Sequence, residues 1–185
     1  VRQRAKIELH KHDSAQVIAA TQKWAKQFDA TKKEDAHHLL EALWVHQWHN
    51  VVNLDLIKAL LKSPEYNARA QAIRVICYQR DRIPGAIDLV AAGVKDEAPR
   101  LQLEAVRALS FFNGADTAKA VEAALTLKDS KDQYISYCFR ETMKQLGSLP
   151  EGKGLVDNKA LLERYTASTA KGQYAVGWLT LASLR

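Results

Sequence analysis

Three stretches of this chain superimpose on one another at a fixed separation. Ala68-Arg69-Ala70-Gln71-Ala72-Ile73-Arg74 aligns with Leu101-Gln102-Leu103-Glu104-Ala105-Val106-Arg107, 33 residues further on, and that stretch aligns with Tyr134-Ile135-Ser136-Tyr137-Cys138-Phe139-Arg140 after another 33. A fourth copy, His38 to Trp44, lies 30 residues upstream of the first. Self-similarity at a period of this size marks a solenoid, because a single unit cannot bury its apolar face and must stack on its neighbours. The expected fold class is therefore all-α, an α-solenoid of about four helical hairpins.

The punctuation within each period supports hairpins. In the third unit Pro84 is expected to open the first helix, whose apolar positions Ile87, Val90, Ala91 and Val94 recur at helical spacing. Lys95-Asp96-Glu97 makes the turn, and Pro99 opens a second helix with Leu101, Ala105, Ala108, Leu109 and Phe112 on one face. Asn113-Gly114 then supplies residues that accept left-handed backbone geometry at a helix end. The four helix pairs fall at about 14–49, 52–79, 84–112 and 115–146, and nothing alternates with period two, so no strand is expected. Residues 1–148 form the repeat domain on this reading. Residues 149–185 differ: Pro150-Glu151-Gly152-Lys153-Gly154 reads as a linker, with two helices, Lys159 to Ala167 and Tyr174 to Leu184, as an atypical C-terminal cap.

Composition narrows the function classes. The chain has 185 residues, 47% hydrophobic and 26% charged, which is globular rather than disordered. No apolar run approaches the ~20 residues of a membrane span. The net charge of +6 is modest, and its basic N-terminal residues Arg2, Arg4, Lys6 and Lys11 are interspersed with Glu8 and Asp13, as on a solvated mixed-charge surface. There is no initiating Met, and Val1 to Lys6 reads as the inside of a helix, so the chain is expected to be a piece of something larger. Cys77 and Cys138 are too few for a disulfide framework and are expected to be buried free thiols.

The best functional candidate is a surface. If Leu101, Ala105, Ala108 and Phe112 face the core, residues 100, 104, 107 and 111 lie on the opposite stripe. Stacking the units then builds columns: Trp44, Arg74, Arg107 and Arg140; Trp48, Tyr78, Phe111 and Lys144; Glu41, Gln71, Glu104 and Tyr137. In such solenoids the second helix of each pair lines the concave side, the usual binding face. Adjacent Arg and aromatic side chains are enriched at protein–protein hot spots. The competing reading is pairing within the chain, since Glu104 lies three residues before Arg107 and would neutralise it.

His38, His46 and His49 are expected on the core side of one helix. The spacing of His46 and His49 can place two imidazoles on a metal, which makes them weak candidates, but no carboxylate or Cys completes a ligand motif. Histidines packed among Trp44 and Trp48 and bonded to backbone account for them as well. No nucleophile motif, phosphate loop or carboxylate pair rises above chance, so no enzymatic activity and no cofactor are expected of this chain by itself.

The string Asp96-Glu97-Ala98-Pro99-Arg100-Leu101-Gln102-Leu103-Glu104-Ala105-Val106-Arg107 resembles a HEAT repeat, with an Asp in the turn, a Pro, and an aliphatic–polar pair on the second helix. Gln102 stands where that pair usually has Arg or Lys, whereas Ala68-Arg69 keeps it. The resemblance runs over about residues 14–148. His37 to Asn50, Arg74 to Pro84 and Arg107 to Phe112 further resemble the HEAT region of large exported proteins of planctomycetes and verrucomicrobia, known as membrane-bound dehydrogenases. In that family a β-propeller resembling sugar dehydrogenases precedes the HEAT region and a c-type cytochrome domain follows it. This chain has no Cys-x-x-Cys-His and no strands, so the resemblance implies a non-catalytic scaffold whose catalytic parts lie elsewhere. It implies an exported or periplasmic location and, as partner, a neighbouring domain or subunit. The alternative is a nucleic-acid-binding protein resembling the alkylpurine DNA glycosylases, with the Arg column on phosphates and Trp44 or Trp48 stacking; the interspersed Glu41 and Glu104 disfavour it.

Overall fold

The structure is a computed structural model that describes residues 2–156. It is an all-α solenoid, and no strand occurs among the described residues. Its helices are α1 (Arg2–Leu9), α2 (Ser14–Ala25), α3 (Ala36–Trp48), α4 (Leu54–Leu60), α5 (Tyr66–Gln79), α6 (Ala86–Gly93), α7 (Pro99–Leu109), α8 (Thr117–Leu125), α9 (Gln133–Ser148) and α10 (Pro150–Val156). None is long and apolar enough to cross a membrane. The chain divides into two compact units, residues 1–86 and 87–185. The expected helices over 159–167 and 174–184 lie outside the described residues.

In the first unit α2 packs on α3, α3 packs on both α4 and α5, and α4 packs on α5. Its core is aliphatic and tightly closed, with Leu43, Ile57, Leu60, Ile73 and Ile76 all fully buried. Each helix start is chemically specified. Asp13 accepts from Gln16 N at 3.0 Å to cap α2, and Asn53 Oδ1 accepts from Leu56 N at 3.0 Å to cap α4. Asn50, just beyond α3, takes φ 57°, the left-handed conformation that Asn tolerates at a helix C-terminus.

In the second unit α7 packs on α8 and α9, and α10 packs on α8 and α9. The hydroxyl of Thr142 on α9 donates to the carbonyl of Val106 on α7 at 2.9 Å, both buried, which fixes the register of these two helices. Asp132 caps α9 by accepting from Tyr134 N and Ile135 N. An ion pair joins Lys119 of α8 to Asp88 of α6.

One device recurs at the foot of the second helices. Arg69 Nη1 donates to Ser63 O at 2.8 Å, Gln102 Nε2 to Asp96 O at 2.7 Å, and Ser136 Oγ to Ser130 O at 2.7 Å. Gln102 thus does with an amide what Arg69 does with a guanidinium, tying the helix to the turn six residues earlier.

Two local expectations are corrected. Pro84 does not open α6: Gly85 takes φ 68°, a left-handed turn, and the helix begins at Ala86. Nor is Pro150 to Gly154 a linker. Proline is accommodated in a first turn, and α10 runs from Pro150 to Val156. Gly152 is buried there so closely against α9 that a Cβ would fall 1.8 Å from Leu146 O.

Two outcomes follow for stability. Gly152→Ala should lift α10 off its seat, raising amide hydrogen exchange across 150–156 while α2–α5 remain protected. Asn53→Ala should cost about 2 kcal/mol in urea denaturation, combining a lost helix cap with an unpaired buried acceptor. That acceptor is His46 Nε2, which lies 3.0 Å from Asn53 Nδ2.

Candidate functional site

The side chains of the expected stripe divide between the two units. In the first unit, α3 carries Glu41, Trp44 and Trp48, and α5 carries Arg74 and Tyr78. These lie opposite the buried set of α3, Ala36, Leu39, Leu40 and Leu43. Tyr78 is 62% exposed and Trp48 41% exposed, whereas Trp44 and Arg74 are half-buried. Trp48 meets the His10 ring edge-on at 5.9 Å. His37 belongs to the same stripe, with Nε2 3.4 Å from Glu41 Oε1 and its ring 6.4 Å from Trp44.

In the second unit, Phe111 just beyond α7 is 45% exposed, and Tyr134, Tyr137 and Arg140 of α9 are exposed. Glu104 departs from the expected outward stripe: it is only 4% exposed. The reason is its partner. Arg107 donates to Glu104 Oε1 from Nε at 2.9 Å and from Nη2 at 2.6 Å, so the carboxylate is folded inward under the guanidinium. The guanidinium carbon in turn lies 5.4 Å from the centre of the Phe111 ring. Intra-chain pairing is thus the state of Arg107. What this face presents outward is chiefly aromatic.

Cys77 is buried and Cys138 is half-buried; both are free thiols. Burial raises the Cys138 thiol above its ordinary range, and its hydrogen bond with Thr142 and the nearby Arg107 charge offset part of that rise.

The histidines separate. His46 is buried with both ring nitrogens engaged, Nδ1 2.8 Å from Ala42 O and Nε2 3.0 Å from Asn53 Nδ2. Since Asn53 Oδ1 is occupied in capping α4, the Asn amide group donates and the imidazole carries its proton on Nδ1. No lone pair is left for a metal. His49 is 9% exposed, with Nδ1 2.9 Å from Ser14 Oγ and Nε2 without a hydrogen-bond partner among the described residues. His38 is exposed, contrary to the core position expected for it, because it lies around the helix from Leu39 and Leu43 and stacks on Phe28 at 4.5 Å. Among the described residues no group of three His, Cys, Asp or Glu is placed to hold a metal ion.

One feature was not legible in the repeat pattern. A cleft of about 620 Å³ opens between α1, α2 and α3, lined by Leu9, Val17, Trp24, His37, His38 and Glu41 among others. Trp24 lies within T-shaped reach of Phe28 at 4.9 Å and His38 at 6.0 Å. These aromatics are contributed by the first hairpin alone, so comparison between repeats cannot find them.

Arg107→Ala should destabilise the second unit by about 2 kcal/mol, because it strips the partner from a buried carboxylate, with the cost moderated by water reaching a guanidinium near the surface. Tyr78→Ala should change stability by no more than about 0.5 kcal/mol. Urea denaturation of the two variants separates structural from surface members of the stripe.

Comparison with known proteins gives one family: the HEAT repeats profile matches residues 53–135. No curated protein matches the chain. The matched span runs from the start of α4 into α9, so the repeats described above form a HEAT-repeat region.

Proposed function

We propose that this chain is a non-catalytic HEAT-repeat scaffold within a larger exported, haem-containing dehydrogenase-like protein. It would hold a neighbouring domain or a partner subunit through Trp44, Trp48, Arg74, Tyr78, Arg107, Phe111 and Arg140. HEAT repeats commonly mediate protein interactions, and one observation carries the choice of face. Large aromatic side chains, Tyr78 at 62% and Phe111 at 45%, stay exposed at the ends of second helices whose opposite sides are fully buried. Exposed aromatic area of this kind is a feature of interaction sites. The dehydrogenase-like parent and the exported location rest on the resemblance of residues 37–50, 74–84 and 107–112. The nucleic-acid reading has less support, because Arg107 is already committed to Glu104 and offers a phosphate little.

The test has two parts. An antibody to this chain, used on fractionated native cells with parallel haem staining, should reveal a large haem-positive band in the exported fraction. A small haem-free cytoplasmic band would overturn the parent. A photo-crosslinking residue at position 78 or 111 should trap protein, and Tyr78→Ala with Phe111→Ala should weaken the association at least tenfold without loss of fold. Cross-links to DNA, with affinity falling steeply as salt rises, would overturn the protein-docking reading.

A further inference from the structure

We propose that the cleft between α1, α2 and α3 binds a small organic cation, an amine or quaternary ammonium on a flat apolar body. The site is separate from the aromatic ends of α5 and α7 and stands without the docking reading. Three observations carry it. The cleft measures about 620 Å³, within the 300–1,000 Å³ of small-molecule sites. Its walls are apolar where Leu9, Val17, Ala20 and Val45 line it, and Trp24 adds an aromatic surface. With imidazoles counted neutral at pH 7, Glu41 is the sole formally charged side chain among the described residues lining it.

That carboxylate is well placed for the role. The Glu41 side chain is 19% exposed, and its Oε1 lies 3.4 Å from His37 Nε2, which steadies it without changing the cleft's formal charge. A cation entering the cleft would meet a carboxylate largely withdrawn from water, where attraction is stronger than at an open surface. The indole of Trp24 offers both flat contact and cation–π attraction. It is braced by Phe28 at 4.9 Å and His38 at 6.0 Å, and the stacking of Phe28 on His38 at 4.5 Å holds that brace together. An anionic ligand would instead face Glu41, and an uncharged one would leave it uncompensated. The ligand class is thus set by one charge within an apolar wall.

The test uses three probes with the same body and different heads: phenylpropylamine, phenylpropanol and phenylpropanoate, titrated at neutral pH by calorimetry. The amine should bind at least tenfold tighter than the alcohol, and the acid weakest of all. In a ¹⁵N-labelled sample the indole cross-peak of Trp24, assigned by its loss in Trp24→Phe, should shift with the amine. Glu41→Gln should bring the amine down to the level of the alcohol while leaving the alcohol unchanged. Ala20→Trp, which fills the cleft from an exposed position, should weaken all three and decides the matter if the Gln variant does not fold. The proposal is overturned if the acid binds as well as the amine. It is equally overturned if Glu41→Gln keeps the amine's advantage, if Ala20→Trp leaves binding unchanged, or if no probe moves the Trp24 signal.

Discussion

The packing of one second helix on the next, α3 on α5 in the first unit and α7 on α9 in the second, is the contact on which the rest depends. A two-helix hairpin has too little interior to stabilise itself, so each repeat borrows a wall from its neighbour. The buried bond from Thr142 to the Val106 carbonyl pins one such contact in register. It also means that faces turned away from the contact keep a regular relation to it. Exposed residues such as Tyr78 and Phe111 therefore recur at like positions in successive repeats, with no need for a bond between them.

Much of this architecture was legible in the sequence, because what specifies it is local. Helix starts are announced by Asp13, Asn53 and Asp132, each accepting from nearby backbone amides. Aliphatic spacing on α3, α5 and α7 marks the buried faces. The pattern failed where a backbone conformation or a close approach overrides propensity. Gly85 turns the chain before α6 begins, and Gly152 makes helix from a stretch whose glycines suggested a loop. Composition cannot report that a glycine is present for want of space rather than for flexibility.

The candidate face was half legible for a related reason. Periodicity places a residue on a side of its helix but does not say which way a long side chain folds. Glu104 has the outward register, yet it lies beneath Arg107, and only the pairing of the two explains its burial. His46 shows the converse. It has the spacing of a ligand, while its Asn53 partner lies seven residues away on the next helix and consumes the nitrogen that a metal would need. The aromatic group of Trp24, Phe28 and His38 spans two helices of one hairpin, so no repeat-to-repeat comparison could reveal it.

The seat of α10 bears on how such an array can change length. Gly152 fits where not even a methyl group has room, and α10 lies against both α8 and α9. This contact is specific to the helices beneath it and is not a generic apolar lid. A duplicated repeat inserted between α9 and α10 would present a different surface to that glycine and lose the fit. Growth by repeat duplication is therefore tolerated upstream of α8, with α8, α9 and α10 inherited together as an indivisible terminal block.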